Sequence, residues 1–305
     1  MTTDFKHAVR THYNSDEKII NFYSKLYQKM LERKLLDSNF VSQMSDHEKT
    51  MHRLSELVIL EHCTCCMENI ESKNKGPDLA FEFEGRRVNI EIITPIKVSL
   101  QTLKIAQYIF PPREGQSSRR GSLDVSAPVM SALHERITGA LKEKAEQYQR
   151  YLAKKTVSGG DANIVCINLG FIDGGEYIDY AYLKNLFTRQ AAIHLEVGQE
   201  GEISAQIEDH DFLVTKQNNT ILKTSYFDNS EFGHIDGVWL VSCNEKNLNA
   251  ISEKSHPNNS GSNILYHNYQ SKIHPALLST LKINSPQKEE EFITQIRANK
   301  KLPDA

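Results

Sequence analysis

GPDLAFEFEGRRVNIEIITP, residues 76 to 95, is the stretch that decides the fold. Gly76-Pro77 punctuates the chain, and behind it Leu79, Phe81 and Phe83 alternate with Asp78, Ala80, Glu82 and Glu84. After the turn-prone Gly85, Val88, Ile90 and Ile92 alternate with Asn89, Glu91 and Ile93. Two alternating runs about a short turn predict a β-hairpin over Asp78 to Glu84 and Val88 to Thr94. Asp78 and Glu91 lie off its apolar faces. If the connecting loop holds an even number of residues, pairs whose numbers sum to an odd total, 78 and 91 among them, stand opposite one another and project to the same side. An odd loop separates them.

Upstream, a helix is predicted from Asp46 to Ile70. Met51, Leu54, Val58 and Cys65 fall on one face, and Ile59, Leu60, Cys63 and Met67 on another, so both sides are expected to be buried. An earlier amphipathic helix spans Ser15 to Leu36, with Ser15 as the expected N-cap and Ile19, Tyr23, Leu26, Tyr27 and Met30 at helical spacing. Downstream, Pro111 to Gly121 has loop composition, and Ala127 to Lys155 has the length and pattern of the longest helix. Ser158-Gly159-Gly160-Asp161 then leads into Ile164 to Leu169, an apolar run expected to be a fully buried strand. Phe212 to Thr215 and Ile221 to Tyr226 form a second predicted hairpin, Gly237 to Ser242 and Ile264 to Tyr266 are further strands, and Trp239 stands in the first of them. This order predicts an α/β fold, a central sheet flanked by helices. The organisation expected is a helical extension over 1–45, an α/β domain over 46–285 and a charged tail over 286–305.

With 305 residues, 25% charged and 39% hydrophobic, the chain has the composition of a globular protein, and disorder, collagen and repeats are excluded. No apolar run is long enough to span a bilayer and the first residues lack a signal peptide's apolar stretch, so a cytoplasmic protein without a membrane partner is expected. Five cysteines in no even framework are expected to be reduced thiols. Cys63-Thr64-Cys65-Cys66 invites a zinc reading, but no second cysteine pair or HxxxH stands at ligand spacing, and buried thiols explain the cluster. With 36 Lys+Arg against 39 Asp+Glu, no global positive field marks a nucleic-acid binder. The local exception is Arg113 with Arg119 and Arg120.

Two carboxylates brought together repel unless a cation lies between them, and hard oxygen ligands suit Mg²⁺ or Mn²⁺. The competing explanation is that Asp78 caps a turn and Glu91 faces water. On the long helix Leu133, Ile137, Ala140, Tyr148 and Tyr151 form a stripe, and Lys144 sits inside it against the pattern, with Arg136 beside it. Either its stem snorkels to water or its charge meets an acidic site. On the preceding helix Glu56 and Glu61 fall within opposite apolar stripes, and periodicity does not choose between them.

Glu56, Gly76-Pro77-Asp78 and Val88-Asn89-Ile90-Glu91-Ile92-Ile93-Thr94-Pro95 together resemble the PD-(D/E)XK, restriction-endonuclease-like, nuclease superfamily. The order GPD, IExxxP, Arg136-Ile137-Thr138 through Lys144 to Tyr148, and a strand ending Ile167-Asn168 is similar to bacterial proteins with that order of motifs, over about residues 50 to 170. The resemblance implies a mixed-sheet core and Mg²⁺-dependent hydrolysis of DNA phosphodiesters, with RNA as the lesser expectation. It implies Asp78 and Glu91 as metal ligands and Glu56 as a third ligand or their partner. Ile93 stands where the family usually has lysine, and in some members the base has moved to a neighbouring helix, which makes Lys144 the replacement that would orient or help deprotonate water. Arg136 and the Arg113, Arg119 and Arg120 loop would hold flanking phosphates. Two other expectations compete: a non-catalytic relative that binds nucleic acid or protein, and an interaction protein whose Tyr23, Tyr27 and Met30 dock on a partner or on a second copy as a homodimer.

Overall fold

The computed structural model describes residues 2–13, 16–72, 76–95, 127–172, 180–197, 203–210, 213–215, 220–222, 224–249, 263–267 and 271–284. Helices α1 (Thr2–His12), α2 (Glu17–Glu32) and α3 (His47–Cys66) precede strands β1 (Leu79–Phe83) and β2 (Arg86–Ile93). The long helix α4 (Ala127–Ala153) leads to β3 (Ala162–Asn168) and then α5 (Tyr180–Phe187). Strands β4 (Gln190–Val197), β5 (Ile203–His210), β6 (Val214–Thr215), β7 (Ile221–Leu222), β8 (Gly237–Val241) and β9 (Asn263–His267) follow, with α6 (Pro275–Thr280) after them.

The hairpin forms as its alternation requires. Glu84 and Gly85 turn the chain with φ of 48° and 72°, two left-handed residues in succession, and Phe83 pairs with Arg86. Leu79 pairs with Ile90, a sum of 169 that also sets 78 opposite 91. The loop is therefore even. Both α2 and α3 start at aspartates whose carboxylates accept backbone N–H groups, Asp16 from Lys18 and Asp46 from Lys49. The first of these caps is Asp16, where Ser15 was expected. The expected hairpin of β6 and β7 is present but only two residues deep on each side.

The main sheet has the order β1-β2-β3-β8-β9, with β2, β3 and β8 parallel and both edge strands antiparallel. It is a mixed sheet with helices on both faces. Val88, Ile90, Ile92, Ile164, Cys166 and Trp239 pack with α1, α2 and α3 in one core. Ile93, Val165, Ile167, Val238 and Leu240 pack in a second core with Leu133, Ile137, Leu141 and Tyr148 of α4 and with α5. Parallel strands covered on both sides explain why β3 is buried at every position.

One expectation is corrected here. Tyr23, Tyr27 and Met30 are buried within the chain's own core, so they form no docking face. Trp239, in the expected strand over Gly237 to Ser242, is fully buried as a core residue, and its indole N–H donates to Asn263 Oδ1 at 2.6 Å. Among the described residues no helix is long and apolar enough to cross a membrane.

Candidate functional site

The C-terminal end of β2 is where an open, partly parallel sheet places a cleft, outside the carboxyl ends of its strands. A cleft of about 380 Å³ opens there between α3 and α4; Glu56 and Asp78 line it with Lys144, and His52 and Arg136 lie along its walls. Glu91 lies behind this lining, its side chain wholly buried (0%) on the face of the sheet that α4 covers.

The register does what the even loop required, since Asp78 and Glu91 meet the same cation. Lys144 Nζ is 2.5 Å from Glu91 Oε2 and 3.7 Å from Asp78 Oδ2. Asp78 Oδ2 also accepts the Ile92 N–H at 2.7 Å, which ties the turn after Pro77 to the neighbouring strand. The reading of Asp78 and Glu91 as a turn cap and a solvent-facing acid therefore fails for Glu91. Lys144 is no snorkelling surface residue either, because its ammonium ends on two carboxylates. Ile93 lies two positions beyond Glu91 and shares its face, so the helix covering that face delivers the lysine to the side on which a strand residue at 93 would have placed one.

Glu56 is the helix acid that reaches this cleft. Arg53 Nη1 holds its Oε2 at 2.5 Å, while the Arg53 guanidinium also approaches Asp37 at 3.4 Å and lies over the Phe40 ring. Glu61 is turned away and pairs with Lys29 on α2 at 2.6 Å. The choice that helical periodicity left open is thus made by which face of α3 meets the sheet.

Burial, and then the neighbouring Asp78 charge, push the Glu91 carboxyl up to about 8, although Lys144 opposes the shift. The same two causes raise Glu56 to about 7 against the pull of Arg53 and Lys144. Burial pulls the Lys144 ammonium down, but Asp78, Glu91 and Glu56 together outweigh it and hold it above its ordinary value. His52, among cations and poorly solvated, is lowered to about 4 and stays neutral. Three crowded carboxyls facing Lys144 form a site short of positive charge, which a divalent cation would supply.

The donors fit such an ion in part. Asp78 and Glu91 offer hard carboxylate oxygens, the number of protein ligands Mg²⁺ commonly takes beside water and a substrate phosphate. Glu56 does not join them, and among the described residues no group of three or more His, Cys, Asp or Glu side chains is arranged to hold a metal. Glu56 therefore fits the outer shell, as a partner to Asp78, better than the inner one. Cys63 is buried while Cys65 is exposed and Cys66 half-buried, so the cysteine run is not uniformly core as expected.

Arg136 lines the cleft but its guanidinium is engaged by Glu48 on α3. Arg113, Arg119 and Arg120 lie outside the described residues. Gln147 escaped the sequence reading, and Tyr151 entered it only as a member of the stripe around Lys144, with no polar role. Gln147 Nε2 donates to Glu91 Oε1 at 3.2 Å, and the Tyr151 hydroxyl donates to the Gly76 carbonyl at 2.7 Å. Both stand on the edge of α4 that carries Lys144, and spacing from Lys144 was the signal that could have found them. No family model matches the sequence, and no curated protein or solved structure is significantly similar to it.

Proposed function

We propose that the chain is a Mg²⁺-dependent nuclease of the PD-(D/E)XK type that hydrolyses phosphodiester bonds, with DNA as its substrate. The observation that carries this reading is the meeting of Lys144 with both Asp78 and Glu91, three residues from three separate segments, at the carboxyl end of a parallel strand. Asp78 and Glu91 would hold the ion, with Glu56 beside them. Bound there, Mg²⁺ supplies positive charge to the phosphate oxygens and acidity to a water. Lys144, kept charged, orients the attacking water and offsets negative charge as the water oxygen bonds to phosphorus and the opposite P–O bond breaks. A lysine held as an ammonium is a poor base, so the water's proton passes to solvent or substrate and not to Lys144. Arg136, by exchanging Glu48 for a phosphate, would hold the flanking strand.

Incubation of the purified protein with plasmid, single-stranded DNA and RNA, in Mg²⁺ or EDTA, tests this beside Asp78→Ala, Glu91→Ala and Lys144→Ala. Mg²⁺-dependent cleavage abolished in all three variants is the expected result. Absence of cleavage of every substrate together with absence of Mg²⁺ binding by calorimetry would sink it. The second reading, a non-catalytic nucleic-acid- or protein-binding relative, is favoured by one observation: both Glu91 carboxylate oxygens already have donors, Lys144 and Gln147.

A further inference from the structure

Lys144, Gln147 and Tyr151 stand at i, i+3 and i+7 of α4, and so share one edge of the helix. Their hydrogen bonds form a chain whose direction the chemistry dictates. The Gly76 carbonyl can only accept, so the Tyr151 hydroxyl donates to it at 2.7 Å, and the same hydroxyl also interacts with the Glu91 carboxyl. That hydroxyl must then accept from the side-chain amide of Gln147, which requires Gln147 to present its NH₂ group. The second hydrogen of that NH₂ group is directed at Glu91 Oε1. Glu91 consequently receives Lys144 on one oxygen and Gln147 on the other. Between these residues Tyr148 is fully buried and its hydroxyl lies within hydrogen-bond distance of the Asn89 and Ile164 carbonyls, which fixes the register of α4 on the sheet.

The two ends of the chain are the two acid-bearing segments. Glu91 is on β2, whereas Gly76 belongs to the turn before β1, two residues ahead of Asp78 and joined to it through the stiff Pro77. We propose that Gln147 and Tyr151 are positioning residues that set the separation and rotamers of the Asp78 and Glu91 carboxylates from a single helix edge. Gln147 stops the Glu91 carboxylate from rotating about its last bond. Tyr151 holds the backbone from which Asp78 projects. This inference rests on the nuclease reading, because it assigns these residues to the geometry of that site.

Isosteric changes test it with little effect on packing: Gln147→Leu and Tyr151→Phe, with Gln149→Leu on the exposed side of α4 as a control. Mg²⁺ affinity by calorimetry, kcat and KM on the cleaved DNA, and thermal midpoints are measured for each. The expected outcome is Mg²⁺ binding weakened about tenfold or more in Gln147→Leu and Tyr151→Phe, as for lost partners of metal ligands. A fall in kcat with KM for DNA unchanged, at a melting midpoint close to that of wild type, separates positioning from general destabilisation. Wild-type Mg²⁺ affinity and kcat in both variants would overturn the positioning role while leaving the nuclease reading intact. A wild-type protein that neither binds Mg²⁺ nor cleaves would overturn the nuclease reading itself, and this role with it.

Discussion

Glu91 is a carboxyl that ordinary packing would not tolerate. Its side chain is wholly excluded from solvent, and a buried acid is retained only where its charge is matched or its proton kept. Here both happen in part: Lys144 lies at 2.5 Å, yet burial and Asp78 raise the carboxyl to about 8, and Glu56 rises to about 7. Metal ligands must be ionised, so Mg²⁺ held as proposed would have to expel protons from this site, and its affinity should climb with pH through neutrality and level off above about 8. The stability of the metal-free fold should move the opposite way. An acid whose folded value exceeds its unfolded one binds more protons folded than unfolded, so stability falls as pH rises between the two values. Neutral His52 and His134, both lowered to about 4, work with the other sign but only below their unfolded value near 6.5. Between pH 6.5 and 8 the carboxyls are left to dominate, with a loss on the order of 2 kcal/mol. Melting curves at several pH values, with and without Mg²⁺, check this: the midpoint should fall with pH in EDTA and fall less with Mg²⁺. Flat metal-free stability across that window would mean that Lys144 already keeps Glu91 ionised.

At the level of elements, the joint between β3, β8 and α3 bears on the site because it holds α3 against the sheet. Asn168, the last residue of β3, donates from Nδ2 to Ser55 Oγ and to the Cys243 carbonyl, both at 2.9 Å, and accepts on Oδ1 from the Gly170 and Cys243 N–H groups. All of the capacity of that amide is used, and a Cβ on Gly170 would lie 2.5 Å from the Cys243 backbone, so the crossing is tight. Asn168→Leu should leave buried backbone groups without partners and cost about 3 kcal/mol or more, measured by denaturant unfolding. A loss under about 1 kcal/mol would show that water or relaxation replaces the amide. The hairpin of β1 and β2 was legible because its alternation and its turn are both local. The facing of Asp78 and Glu91 followed conditionally, since loop parity alone decides which side chains share a face. Glu56 was not separable from Glu61 because helical periodicity identifies two buried faces without saying which meets the sheet. Strands β4 and β5 were missed despite a period of two in Ile193, Leu195 and Val197 and in Ile203, Ala205 and Ile207, residues that pair as Ile193 with Ile207, Leu195 with Ala205 and Val197 with Ile203.

Across the whole molecule, the sequence reading drew a boundary after residue 45, and the packing bears directly on it. Phe5, Val9, Ile20, Tyr23, Tyr27 and Met30 from α1 and α2 lie in one continuous core with α3 and with Leu79, Ile90 and Ile164 of the sheet. The Tyr13 and Tyr23 hydroxyls both donate to the Glu245 carboxylate, beyond β8, at 2.9 and 2.8 Å. Tyr23 is raised well above its usual value, first by burial and then by Glu245, so this contact stays a neutral phenol on a carboxylate. A surface extension would be legible from composition, whereas a shared core is not, since an amphipathic helix looks the same whether it covers its own sheet or a partner's. The consequence is that α1 and α2 complete the wall behind α3, the helix that carries Glu56 into the cleft. A chain beginning at residue 46 would lose the α1 and α2 side chains that share this core and would expose apolar surface of α3 to water. Each large apolar side chain so uncovered forfeits roughly 1.5–3 kcal/mol, and several together exceed the typical stability of a domain, about 5–15 kcal/mol. The shortened chain should therefore show no cooperative melting transition and no fixed aromatic signal in near-ultraviolet circular dichroism. A sharp transition and native-like spectrum for residues 46–305 would instead establish the first 45 as a separable extension, and would place the origin of α3's orientation in its contact with β2 alone.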